Sequence, residues 1–310
     1  MSHLHFIFIR HGQASFHKDN YDQLSDLGCT QIQKLSIDPF WSDLLSQAQP
    51  QHVYMHVGEL QRQQHSLKIF LDHNPWCHTY HMNLLDLSSS KNEQIVPHPA
   101  WNEFEFKKIL AMYHTQLFDE PQVKVAIEDS RIYAFHYLIS RWMLGTLPHG
   151  DDAPVVSWAL FRTRIVQYFQ SIIQQAWSAH TSTDSLSSEQ TRYHLCFTSA
   201  GVITALLSEC LQLGITQSLA LLMQLKNSSI TQVKVSFSSP LSSTPSYISH
   251  ADEISNQISG KIGGQKIMHE TNQAEFTSHQ NVPMIHSSIH HTLLHFNLTQ
   301  HLSEYETTLY

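Results

Sequence analysis

The chain has 310 residues, 41 % hydrophobic and 14 % charged, enough apolar material for one large or two small packed domains, which excludes a disordered tail protein. Lys plus Arg is 18 against Asp plus Glu at 26, a formal net charge of -8, so the basic footprint of generic nucleic-acid binding is absent. No stretch reaches the roughly 18 apolar residues of a membrane span, and Cys29, Cys77, Cys196 and Cys210 form no CxxC pair, so the expectation is a soluble, cytoplasmic protein with reduced thiols, no membrane partner and no leader.

The first segment, from His5 to Gly12, is a continuous apolar run closed by Arg10-His11-Gly12, the pattern of a strand buried on both faces. Ser25 is placed to cap a helix through about Leu35, and Pro39 opens a second helix reaching Ala48. A strand over His52–Val57 and a helix over Glu59–Leu71 follow, and a short strand is expected near His78–Leu84. This β-α-β-α order predicts a mostly parallel sheet covered by helices.

From Phe104 to about Ala179 the periodicity becomes helical: Ile132, Phe135, Ile139 and Trp142, then Trp158, Phe161, Ile165, Tyr168 and Ile172 recur at three- and four-residue steps. Two amphipathic helices are expected, with those aromatics as packing residues. The sheet pattern returns at Tyr193–Phe197, runs through Thr198-Ser199-Ala200-Gly201 into a helix to about Leu211, and continues with a helix over Thr216–Leu225 and a strand over Ser229–Phe237. Residues 238–288 are rich in Ser, His, Gln and Asn, too polar to offset their ordering entropy by burial, and are expected to be a flexible insert. Residues 292–296 form a last candidate strand.

The predicted fold is therefore a three-layer α/β sandwich with a mostly parallel central sheet between helices. Its core comprises residues 1–103, 180–237 and 292–310, with a helical cap insertion over 104–179 and a low-complexity insert over 238–291. The 24 histidines are spread along the chain, and the densest group, His286, His290 and His291, reads as polar filler rather than a metal site.

Chemistry concentrates at strand exits. Open α/β sheets place ligands at the carboxyl ends of their strands, and Arg10-His11-Gly12 sits at one such end, with a cation beside an imidazole and a glycine that allows close backbone approach. After the second strand, Arg62 falls in the first turn of the next helix, where its guanidinium and the positive end of the helix dipole act on the same anion. Two arginines and a histidine at one sheet edge suit a phosphoryl group.

With these residues the sequence resembles the histidine phosphatase superfamily, also called phosphoglycerate mutase-like. Phe8-Ile9-Arg10-His11-Gly12-Gln13 is similar to its signature, Leu24-Ser25-Asp26-Leu27-Gly28-Cys29-Thr30-Gln31 to the helix start that follows it, and Leu60-Gln61-Arg62 to the segment of the second phosphate arginine. Asn102-Glu103-Phe104 resembles the segment that supplies an acidic residue, and Arg10 to Ser15 together with Tyr21-Asp22-Gln23-Leu24-Ser25 resembles one bacterial branch. The resemblance covers about residues 1–236 and the final strand. It implies phosphomonoester hydrolysis, with His11 as the nucleophile that becomes a phosphohistidine and Arg10 and Arg62 holding the phosphoryl oxygens. Glu103 would act as acid and base, with Glu105 as its competitor. Gln13 and Ser199 would contact phosphate. No cofactor and no metal are implied, and the partner is a small phosphorylated substrate.

The departures from the family pattern are specific. A second histidine is usual after the later strand, in a Ser-His-Gly run, and Ser199 stands there instead. A hydroxyl donates one hydrogen bond but brings no charge, and loss of such a donor costs on the order of 3 kcal/mol of transition-state stabilisation. Ala14 and His17 also stand where small polar phosphate contacts are usual. Slow turnover or altered specificity is therefore expected. A phosphoester-binding protein that has lost turnover is the alternative, and a phosphomutase a third reading.

Overall fold

The computed structural model describes residues 3–15, 22–46, 48–79, 95–109, 131–146, 155–181, 191–237 and 289–308. By contacts the chain divides into two units, Met1–Ser236 with His291–Tyr310, and Phe237–His290; of the second, only Phe237, Ile289 and His290 are described. The site lies in the first.

That unit is organised by β1 (His3–Arg10), whose side chains alternate between two apolar layers. Ile7 and Ile9 belong to a core shared with Ile32, Leu35, Trp41, Leu67 and Phe70. Phe6 and Phe8 point to the opposite layer, where both meet the ring of Phe169, at 4.6 and 6.3 Å between centroids. All four β1 residues are fully buried, each worth about 1.5–3 kcal/mol of transfer free energy. This two-sided burial explains why β1 reads as an unbroken apolar run and occupies the middle of the sheet.

The first layer is built from α1 (Asp26–Ser36), α2 (Pro39–Leu45), α3 (Gln61–His73) and α4 (Pro75–Thr79). Ser25 caps α1 by accepting from the backbone N–H of Gly28, and Asp38 caps α2 by accepting from Phe40, with Pro39 in its first turn. β2 (Val53–Val57) and β3 (Ile95–Pro97) follow. The strand expected near His78–Leu84 is not found at its start, because Pro75 opens a helical turn through Thr79 that Asn74 caps with its side-chain oxygen; the remainder lies outside the described residues.

The other layer contains α5 (Arg131–Met143) and α6 (Trp158–Thr181), followed by β4 (Thr191–Thr198), α7 (Ala200–Cys210), α8 (Ile215–Gln224), β5 (Ile230–Phe237) and β6 (Ile289–Leu298). Helix α6 packs along α7, and α5 packs against α6 and α8. The strand order is β3-β2-β4-β1-β5-β6. β1, β2, β3 and β4 are mutually parallel, while β5 runs antiparallel to β1, giving the mostly parallel α/β sheet that the sequence pattern predicts. His17 and most of the polar insert lie outside the described residues.

The register fixes where chemistry can occur. Arg10 pairs with Thr198, Val57 with Phe197 and Val57 with Pro97, so β1, β2, β3 and β4 all end at one edge. From that edge the chain continues into His11, Gly58, the 99–104 segment and Ser199. Among the described residues no helix is long and apolar enough to cross a membrane.

Candidate active site

The backbone of His11 is held from two sides. Its N–H donates to Thr198 O at 2.9 Å, and its carbonyl accepts from the N–H of Ser228 at 3.2 Å. The following turn is locked to α1 by two glycines: a Cβ on Gly12 would lie 2.3 Å from Gly28 O, and one on Gly28 would lie 2.2 Å from Gln13 O. Neither position can carry a side chain without moving the loop away from the helix. Gly12 N–H also donates to Ser66 Oγ at 3.3 Å, which ties the loop to α3.

The imidazole of His11 is buried, and its two nitrogens have unequal partners. Nδ1 lies 2.7 Å from Gly12 O, an atom that can only accept, so Nδ1 carries the proton. Nε2 receives the Arg62 Nε–H at 3.1 Å, so it presents a lone pair. The ring is therefore the neutral Nδ1–H tautomer, with its lone-pair nitrogen facing a guanidinium. Burial holds the His11 pKa well below the usual 6.5, and the adjacent Arg62 and Arg10 charges push in the same direction.

Arg62 stands in the first turn of α3, as its spacing predicts, and divides its guanidinium between His11 and Asp22, whose Oδ1 accepts from Nη1 at 2.9 Å. Arg10 is likewise buried and donates from Nη1 to Leu225 O at the end of α8, where a cation also meets the negative end of the helix dipole. The charge of each arginine acts on both His11 and Glu103.

Glu103 lies on the N-terminus of α7. Its Oε2 accepts from the N–H of Gly201 at 3.1 Å and its Oε1 from Phe104 N–H at 3.0 Å. A Cβ on Gly201 would fall 2.1 Å from Oε1, so the carboxylate reaches the helix only because that residue has no side chain. Burial raises the Glu103 pKa above 4.5, opposed by the Gly201 N–H and by Arg62, Phe104 N–H and Arg10. Its rival Glu105 is exposed and pairs with Lys108 at 2.6 Å. The segment is clamped by aromatics: Phe104 packs on Trp142 and Phe161, at 4.6 and 5.7 Å between centroids, and Asn102 exchanges hydrogen bonds with Glu59. The periodic aromatics of α5 and α6 thus serve as packing that fixes the acidic residue.

Gln13 and Ser199 have other partners. The Gln13 side chain accepts from Ser25 Oγ at 3.0 Å. Ser199, fully buried at the α7 N-cap, accepts from Gln63 Nε2 at 2.7 Å. Gln63 also donates to Trp101 O at 3.0 Å, beside Thr198 Oγ1, which donates to the same carbonyl. Sequence reasoning assigned no role to Asp22, Gln63 or Ser66. The latter two follow Arg62 in the first turns of α3, and Asp22 lies in the stretch quoted for the resemblance; their polarity next to an apolar helix face was the available signal.

No protein-family model matches this sequence, and no curated protein does. Solved structures similar to it include "Mycobacterial hydrolase 2", 14 % identical with a TM-score of 0.48, covering 84 % of this chain and 98 % of that one. Another is a phosphoserine phosphatase mutant from Entamoeba histolytica in complex with phosphoserine, 12 % identical with a TM-score of 0.48, covering 97 % and 100 %. A third is a phosphoglycerate mutase from Bacillus anthracis, 13 % identical with a TM-score of 0.45, covering 75 % and 88 %. Likenesses this distant carry no functional argument, and the chemistry rests on the residues above.

Proposed function

We propose that the chain is a phosphomonoester hydrolase of the histidine phosphatase type, acting through a phosphohistidine on His11. The observation that carries this reading is the orientation of the imidazole, neutral, with Nδ1–H fixed on Gly12 O and the Nε2 lone pair turned toward Arg62. Once the Arg62 Nε–H passes from Nε2 to a phosphoryl oxygen, Nε2 would attack phosphorus in line with the leaving oxygen, forming the N–P bond as the P–O bond breaks. Water would then cleave the N–P bond, splitting one hard step into two. Arg62 and Arg10 would balance the charge spreading over the equatorial oxygens, the main source of catalysis in phosphoryl transfer. Glu103, with its raised pKa, would give a proton to the leaving oxygen and later take one from the attacking water. These roles need no cofactor, and the helices of residues 104–179 would act as a cap that holds the Glu103 segment.

The test is release of inorganic phosphate from an aryl phosphate by the full chain. Steady release that is lost in His11→Ala supports hydrolysis. A second reading, a phosphoester-binding protein without turnover, is favoured by one observation, the buried and uncharged Ser199–Gln63 pair where the family resemblance implies a second histidine. It predicts saturable phosphate binding without release.

A further inference from the structure

Asp22 has no part in the chemistry above, yet its carboxylate is shared between two groups of that site. Oδ1 accepts from Arg62 Nη1 at 2.9 Å, and Oδ2 accepts from the backbone N–H of Gln61, also at 2.9 Å. Gln61 opens α3, whose N-cap is Leu60, a residue with no side-chain acceptor. Asp22 therefore supplies the missing anion at the positive end of the helix. A guanidinium beside a helix-terminal N–H is also the arrangement that holds a phosphoryl oxygen. The protein thus places its own anion on the arginine that faces the nucleophile.

Two consequences follow from the geometry. The guanidinium is planar, so fixing Nη1 on Asp22 fixes the direction of Nε, which lies 3.1 Å from His11 Nε2. The Asp22 charge also offsets that of Arg62, which would otherwise bind a dianionic substrate and the dianionic product with equal strength. Such uniform binding does not speed the chemical step and slows release of phosphate. Asp22 is the more accessible partner, its side chain 31 % exposed against 6 % for Arg62, so its effect on Arg62 is partly screened rather than cancelling.

We propose that Asp22 is a positioning residue and an internal counter-ion: it aligns Arg62 on His11 and weakens the hold of the site on inorganic phosphate. The proposal rests on the phosphatase reading given above. The experiment is calorimetric titration of the full chain with inorganic phosphate, alongside kcat and KM for an aryl phosphate. Asp22→Asn keeps one acceptor oxygen for Arg62 Nη1 while giving up the charge and the bond from the Gln61 N–H, and the expected result is phosphate binding tightened about fivefold, with a matching fall in the product-inhibition constant. Asp22→Ala removes the acceptor as well, and kcat is expected to fall about tenfold through loss of alignment. Asp22→Ser carries the same charge test if the Asn variant melts early. A purely structural role predicts weaker phosphate binding in every variant, and unchanged or weaker binding in Asp22→Asn overturns the proposal. If the wild-type chain binds no phosphate, the phosphatase reading fails together with it; if the wild type binds and the variant is unchanged, only the role of Asp22 fails.

Discussion

Two places in this molecule bury a histidine to the same degree, and they differ in what faces the ring. His11 is 4 % exposed, as is His56, and His194 is 5 %. His56 and His194 sit on the neighbouring strands β2 and β4, with His56 Nε2 and His194 Nδ1 2.9 Å apart. His194 is stacked between Phe6 and Tyr54, at 4.7 and 5.0 Å between ring centroids. Burial lowers the pKa of His56 to about 3, and that of His194 well below 6.5, so this pair is neutral like His11. The pair, however, spends its facing nitrogens on each other inside an apolar layer, whereas His11 turns its lone pair to a guanidinium at the end of a strand. Burial and a lowered pKa are thus common to all three rings, and what sets His11 apart is the guanidinium that its lone pair faces.

On the mechanism proposed above, substitution separates the two histidine sites. His11→Ala removes the nucleophile, and phosphate release from an aryl phosphate is expected to fall by 10³-fold or more. The double variant His56→Leu with His194→Phe removes both hydrogen-bonding partners and is expected to leave the rate within about twofold. Equal losses in both would erase the distinction. Glu103→Gln is expected to lower turnover by roughly 10² to 10⁴ for a poor leaving group, and by much less for a nitrophenolate, which needs no proton.

The pH dependence sharpens the same contrast. The proposed mechanism requires His11 neutral, and its pKa is lowered, and Glu103 protonated for the first step, and its pKa is raised. Both conditions hold together above the lowered His11 pKa and below the raised Glu103 pKa, so kcat/KM is expected to decline as the pH rises through the latter, and Glu103→Gln is expected to flatten that decline. Stability behaves oppositely. His56 and His194 have folded pKa values below the unfolded 6.5, so as the pH falls below 6.5 the unfolded chain takes up protons that the native chain does not. Their contribution to stability is whole above pH 6.5 and is lost progressively toward about pH 3. The thermal midpoint is expected to drop between pH 7 and 5, and the double variant is expected to drop less over the same interval.

The smallest effect concerns Ser199. Ser199→His places a cationic donor at the end of β4, with an expected gain in kcat of up to about tenfold, provided Gln63 is shortened to make room. A gain from Gln63→Ala with Ser199→His over Gln63→Ala alone would show that a cationic donor at this position is limiting.

Much of this architecture is legible in the sequence because it follows from local rules. The unbroken run from Phe6 to Ile9 marks a strand covered on both sides, Ser25 and Pro39 mark helix starts, and the positions of Arg10 and Arg62 after successive parallel strands bring them to one edge. The strand expected from His78 fails at its start, since His78 and Thr79 complete the helical turn that Pro75 opens and Asn74 caps. Glu103 could not be separated from Glu105 without knowing that Gly201 leaves space for a carboxylate on α7. The partners of Asp22 and Gln63 are invisible for the same reason: each bond joins segments 38 to 136 residues apart. Such contacts depend on the completed sheet rather than on neighbouring residues.

The most direct test of the central claim is rapid quenching of the full chain with a phosphomonoester under conditions that preserve N–P bonds, followed by peptide mass spectrometry. A phosphoryl group on His11, absent from His11→Ala and formed and lost at rates compatible with turnover, is the predicted result. Phosphate release with no label on His11, or label on another residue at the same rate, would contradict the account.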